Sequence, residues 1–190
     1  MKWLLELFSY CLVAVFAQNL VFTRGIGSSR MLRAARKPKQ LAAYTFFVTL
    51  YTFVTMLLSF AVNPIVGTNE TARPLAYCIC AVISYAAVTP LVRIFFTGFY
   101  RKYQKIFSVC ALNCIVLGAP LIVNAEGMTF GHALMYAVGA GLGFAFSVWL
   151  TREAIGRIDN PDMPKAFRGL PALFVYLGIL GMVFFSIRGR

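Results

Sequence analysis

Cys110 and Cys114 lie four residues apart in the stretch CALNCIVLGAPLI (residues 110–122), with Asn113 just ahead of the second thiol. Residues four apart on a helix share one face, and thiolates are ligands for zinc and iron–sulfur centres. Such centres ordinarily take four ligands, so this pair alone does not define a metal site. The following "LGAPL", with Gly118 and Pro120, predicts an interruption of the helix. A second stretch, AQNLVFTRGIGSS (17–29), has the same character: Asn19 is followed by a break at Gly25 and Gly27. An isolated Asn in an apolar helix ties two helices together, a bond worth about 1 kcal/mol. Two such residues, each followed by a glycine-containing break, point instead to a site.

Composition decides what solvent these stretches see. Apolar residues make up 60% of the chain and charged residues 13%, with a mean hydropathy of +0.76. Soluble domains carry about a quarter charged residues, so the chain is read as an integral membrane protein without a large soluble domain. The formal charge of +12 would suggest nucleic acid in a soluble protein; here it reflects cytoplasmic loops, and no nucleic-acid partner is expected. The five cysteines (Cys11, Cys78, Cys80, Cys110, Cys114) fall in apolar segments, which excludes a secreted disulfide framework. They read as small buried hydrophobes, Cys114 least so.

A helix needs roughly 20 apolar residues to cross the hydrocarbon. Residues 7–23, 40–69, 74–92, 106–125, 127–151 and 169–187 contain no Asp, Glu, Lys or Arg and form six candidate spans. Loops 24–39, 93–105 and 152–168 hold 14 of the 18 basic residues, while "NPIVGTNETAR" and "NAEGMTFGH" hold one Arg and two Glu. Basic loops stay in the cytoplasm, so six spans are expected with both termini outside. The first segment resembles a signal peptide with a possible cut after Ala17, but Glu6 and the basic loop behind it favour a retained span.

"AQNLVF" (17–22) echoes "ALNCIV" (111–116), and "PLAYCIC" (from 74) faintly echoes "PALFVYL" (from 171). Both offsets are near half the chain, so each half holds three spans. Repeats with an odd number of spans must be inverted relative to one another. The expected fold class is therefore an all-α integral membrane protein of six transmembrane helices, built as two inverted three-helix repeats with broken first and fourth helices. It forms a single transmembrane domain over 1–190, with half-repeats of about 1–95 and 96–190. Helices broken within the bilayer free backbone groups for ions or cofactors. Asn19, Asn113, Gly25, Gly27 and Gly118 mark these breaks, and Asn19 and Cys114 are expected to face a shared pocket at the bilayer centre.

"LNCIVLGAPLI" resembles the "NC-A-[VI]-L-G" signature of the Rnf/Nqr membrane subunits, and "AQNLVFTRGIGSS" resembles that family's first-span motif. The family supplies six-span, inverted-repeat subunits of ion-translocating ferredoxin:NAD and NADH:quinone oxidoreductases. The resemblance implies a two-iron, two-sulfur cluster held by cysteines of the first and fourth spans of two related subunits. By motif, Cys114 takes the second ligand slot and is the metal-binding candidate. The first slot falls at Ser29, or at Ser28 in a shifted register, and Arg30 replaces the family's proline. A serine hydroxyl is a poor substitute for a thiolate, so the resemblance implies a divergent member with an impaired or missing cluster. Either the chain contributes one thiolate, or Cys110 or Cys11 substitutes, or the cluster is absent.

The remaining features read as structural. Gly139 and Gly143 are four apart, a close-packing pattern, and Gly178 and Gly181 suggest the same. His132 reads as interfacial, Trp3, Tyr100 and Tyr103 as belt aromatics, and Asp162 of "DNPDMP" as a solvated loop residue. With one His and six acids and no phosphate loop or catalytic triad, the chain is not expected to run hydrolytic chemistry unaided. Three functions fit: a subunit of an Rnf/Nqr-like electron-transport complex coupled to Na+ or H+ movement, beside a related inverted membrane subunit; a small ion or solute permease; or a cofactor-less assembly subunit. No residue is assigned a catalytic role.

Overall fold

The computed structural model describes residues 2–36, 40–67, 71–95, 97–158, 164 and 167–187. Among them are nine α-helices and no strand: α1 (Lys2–Val15), α2 (Leu20–Arg24), α3 (Ser28–Ala35), α4 (Leu41–Val66), α5 (Ala72–Phe95), α6 (Thr97–Ala111), α7 (Cys114–Ala125), α8 (Phe130–Ile158) and α9 (Leu170–Ile187). Asp162 and its neighbours lie outside the described residues.

Four of the expected spans are single helices, α4, α5, α8 and α9, long and apolar enough to cross a bilayer. The first and fourth are broken. Span one divides into α1 and α2, with α3 beyond it in the basic stretch, so its longest apolar piece is the short helix Leu5–Val15. Span four divides between α6 and α7 at Leu112–Asn113. The break in span four therefore precedes "LGAPL", and Pro120 lies inside a continuous α7. Membrane helices tolerate an internal proline because neighbouring groups satisfy the freed carbonyl; α4 and α5 carry Pro64 and Pro90 in the same way.

Close approaches give the helix directions. Gly131 faces Trp3 and Leu7, Gly139 faces Cys11, and Gly143 faces Ala14, so α1 runs parallel to α8. Thr49 meets Gly141 and Phe60 meets Phe130, so α4 runs antiparallel to α8. Phe107 packs on Phe47 with ring centroids 4.1 Å apart, Cys110 reaches the Tyr44 carbonyl, and Asn124 bonds Tyr77, itself bonded to Asn63. The α6–α7 span therefore follows α4. Spans one and four run in opposite directions, as inverted repeats require.

The packing obeys the same exchange. α1 lies on α8 as α6 lies on α4, α4 on α5 as α8 on α9, and α4 on α7 as α8 on α2, while α4 and α8 pack on each other. The basic helix α3 breaks the symmetry. It inserts Met31, Ala34 and Ala35 against the rest of the bundle, with α8 as its main neighbour, and has no counterpart in the second half.

Close packing at the centre depends on small residues. A Cβ on Gly139 would lie 2.6 Å from the Cys11 carbonyl oxygen, so α1 and α8 touch backbone to backbone. Around this contact Phe47, Tyr51, Phe107, Tyr136 and Phe144 are fully buried. Between α4 and α5, Tyr51, Thr55 and Asn63, spaced by four and then eight residues, form a polar seam with Thr89, Ser84 and Tyr77. Hydroxyl pairs of this kind hold helices together where no hydrophobic force acts.

Candidate functional site

The two echoed asparagines do one local job. α1 ends at Val15, and Asn19 then caps α2: its Oδ1 accepts from the backbone N–H groups of Val21 (3.1 Å) and Phe22 (3.4 Å). Asn113 caps α7 by accepting from the Ile115 N–H at 3.3 Å. Asparagine favours this role because its short amide reaches the unpaired first-turn donors. Both residues are fully buried, at 0% and 1% exposure.

Asn19 does more than cap. Its Nδ2 donates to the carbonyls of Val15 (2.8 Å) and Gly143 (3.1 Å), and its Oδ1 also accepts from Ser147 Oγ at 3.0 Å. The side chain thus joins the end of α1, the start of α2 and the middle of α8.

The breaks meet through glycine. Gly25 closes α2 in the left-handed conformation (φ 67°), with Ile26 N–H returning to the Leu20 carbonyl at 2.9 Å; this is the αL closure glycine permits. Gly27 follows at φ 83°. A Cβ there would sit 2.9 Å from Ile115 and 3.0 Å from Asn113 Oδ1. Gly118 does not break a helix; it leaves room for Ile26, which a Cβ would meet at 3.1 Å. The loop between α2 and α3 therefore rests on the first turns of α7.

The thiols are arranged otherwise than their spacing suggests. The chain breaks between Cys110 and Cys114, so the helical rule of a shared face does not apply. Cys110 is buried at 1% exposure, its Sγ directed at the Tyr44 carbonyl 3.9 Å away. Cys114 begins α7 and is exposed, beside the exposed Leu112. Asn19, by contrast, is buried against Gly143 and Ser147 of α8. Ser29, in the first turn of α3, is also exposed, and Ser28 is half-buried. Since Gly27 touches Asn113 and Ile115, the serine and Cys114 belong to neighbouring stretches that open outward.

A polar group unread in the sequence lies beside the first break. Gln18 Nε2 donates to both carboxylate oxygens of Glu126 (3.1 and 3.3 Å), and Arg24 approaches the same carboxylate at 3.7 Å. Charge had placed Arg24 and Glu126 in loops on opposite sides. They meet because α2 turns back, carrying both ends of residues 18–24 toward the end of α7.

The chain matches the family described as Rnf-Nqr subunit, membrane protein, over residues 7–189. It belongs to the Rnf-Nqr family. It is similar to a subunit of the Na(+)-translocating NADH-quinone reductase of Hahella chejuensis, with 30% identity over 95 residues covering 50% of this chain and 47% of that protein. It is also similar to a subunit of the Na(+)-translocating ferredoxin:NAD(+) oxidoreductase complex of Acetobacterium woodii, with 25% identity over 186 residues and 93% of each chain. The corresponding subunit of the proton-translocating ferredoxin:NAD(+) oxidoreductase complex of Clostridium ljungdahlii is 23% identical over 179 residues, again 93% of each. The chain thus spans about half the length of the NADH-quinone reductase protein and nearly all of the two ferredoxin:NAD(+) oxidoreductase proteins.

Among the described residues of this Rnf-Nqr chain, no three His, Cys, Asp or Glu side chains gather in a group able to hold a metal. Iron–sulfur clusters held by cysteine alone take four thiolates. Cys11, buried at 7%, abuts Gly139 on α8, and Cys110 points to α4. Cys78 and Cys114 are exposed on different helices, α5 and α7, so the described residues of this chain do not by themselves fit a cluster.

Two other assignments change, those of Cys78 and Gly178. Cys78 is exposed rather than buried. Gly178 packs against nothing within 4 Å, while Gly181 lies close to the Phe22 carbonyl. His132 stacks on Tyr10 and pairs with Thr129 through Nδ1. The residues missed were Ser147, Gln18 and Ile26. Only Ser147 left a signal, in the four-residue spacing of Gly143, Ser147 and Thr151 on one face of α8.

Proposed function

We propose that this chain is an integral subunit of an Rnf/Nqr-like electron-transport complex that couples electron transfer to movement of Na+ or H+. Family membership across residues 7–189 carries this reading. The relatives with full-length matches are named as subunits of ion-translocating oxidoreductase complexes, one for Na+ and one for protons. The subunit sits in a bacterial inner membrane with both termini outside, next to a related membrane subunit of inverted topology and the other subunits of the complex. Support for such a partner comes from the exposure of Leu112 and Cys114 at the start of α7 and of Ser29 at the start of α3.

Cys114 is the one thiolate this chain brings to a cluster shared with that partner. Ser29 stands where the family pattern places a second, and the buried Cys110 does not replace it. The serine favours a second reading, an assembly subunit that keeps the scaffold without the cofactor. Iron and acid-labile sulfide measured in the complex purified with its partners, wild type against Cys114→Ser, separate the two. We expect bound iron to disappear in the variant while membrane insertion is retained. Iron unchanged by the substitution removes Cys114 from the site, and a wild-type complex without iron supports the assembly subunit.

A further inference from the structure

At the end of the bundle where α3 and α8 finish and α9 begins, a cavity of about 360 Å³ is lined by Arg36, Ile155, Ile158, Gly169, Leu170 and Leu173. We propose that it binds the headgroup and upper acyl chain of an anionic phospholipid.

The lining has the two chemistries such a molecule presents. Arg36, the exposed C-cap of α3, is the charged group, and its planar guanidinium donates in parallel to phosphate oxygens. Four of the other five residues are aliphatic. Gly169, at φ +87°, presents backbone without a side chain at the point where α9 starts. A free phosphate would gain nothing from the aliphatic walls, whereas a lipid continues from the cavity along α9. That helix is the least covered of the long ones, with 11% of its apolar window buried.

The local charge favours an anion. Along the chain, the stretches 33–39 and 153–168 that flank the lining residues hold Arg33, Arg36, Lys37, Lys39, Arg157, Lys165 and Arg168 against Glu153, Asp159 and Asp162. Basic pockets between helices on the cytoplasmic side are suited to anionic headgroups. The exposed arginines of this end are also the residues that charge alone assigns to the cytoplasm.

The test uses the full chain reconstituted in phosphatidylcholine vesicles containing phosphatidylglycerol, extracted into mild detergent, with retained lipid quantified by mass spectrometry. Wild type is expected to retain phosphatidylglycerol over phosphatidylcholine. Arg36→Gln should lower that retention about fivefold, the weight of one basic residue against an anionic surface, with helix content unchanged; Arg36→Lys should restore part of it. Ile158→Phe, which fills the cavity, should reduce retention of phosphatidylglycerol without touching the charge. Equal retention of the two lipids, or retention unaffected by Arg36→Gln, overturns the proposal. Displacement by inorganic phosphate assigns the site to free phosphate, and lipid held by the isolated chain but absent from the assembled complex makes the cavity a contact between subunits; either result also overturns it.

Discussion

Asn19 and Asn113 are the same residue in two copies of one motif, but they carry unequal weight. Each caps a helix, a role worth about 1 kcal/mol. Asn19 also supplies the bond to the Val15 carbonyl and joins Gly143 and Ser147, which keep a hydrogen bond to each other, and stranding a buried polar partner such as the Val15 carbonyl costs about 1–3 kcal/mol. Asn19→Ala should therefore destabilise the folded chain by about 2–3 kcal/mol and Asn113→Ala by about 1 kcal/mol, read from unfolding in detergent. Equal losses would show that the bonds to Gly143 and Ser147 contribute nothing. The sequence revealed both asparagines through their repeat spacing. It did not reveal that they are caps, because the helix breaks were sought at the glycines and proline that follow them.

Among the helices, α1 and α8 form the contact on which the site depends, since Asn19 reaches Gly143 only if the two backbones touch. Gly139→Ala places a Cβ within 2.6 Å of the Cys11 carbonyl oxygen, where α1 itself must move; overpacking of this kind costs about 1–3 kcal/mol. Gly178→Ala on α9 meets nothing and should be neutral or stabilising by up to about 1 kcal/mol, the helix propensity gained over glycine. Thermal unfolding of the two variants side by side checks the contrast, and a Gly139→Ala protein as stable as wild type would remove the contact from the account. Both pairs of glycines look alike in sequence. Only the packing of α8 at the centre and α9 at the edge distinguishes them.

Across the whole bundle, the thiols report which surfaces are covered. Cys78 and Cys114 are exposed, while Cys11, Cys80 and Cys110 are buried. A small maleimide added to the isolated chain in detergent should modify the first two and spare the others. In the assembled complex Cys114 should become protected, as a partner seated on the broken helices requires. Labelling of Cys110 would mean that α6 and α4 are not packed as described, and unchanged labelling of Cys114 in the complex would place the partner elsewhere.

Hydropathy and the distribution of basic residues were enough to read the spans, because a bilayer imposes length and composition on any segment that crosses it. The half-chain echo was enough to read the inversion, because two copies with an odd number of crossings have no other arrangement. The orientation of Cys114 away from Cys110, the return of α2 that joins Arg24 to Glu126, and the meeting of Gly27 with Asn113 were decided only by the tertiary structure. Each depends on how the backbone turns at a break, where helical periodicity stops relating sequence spacing to direction.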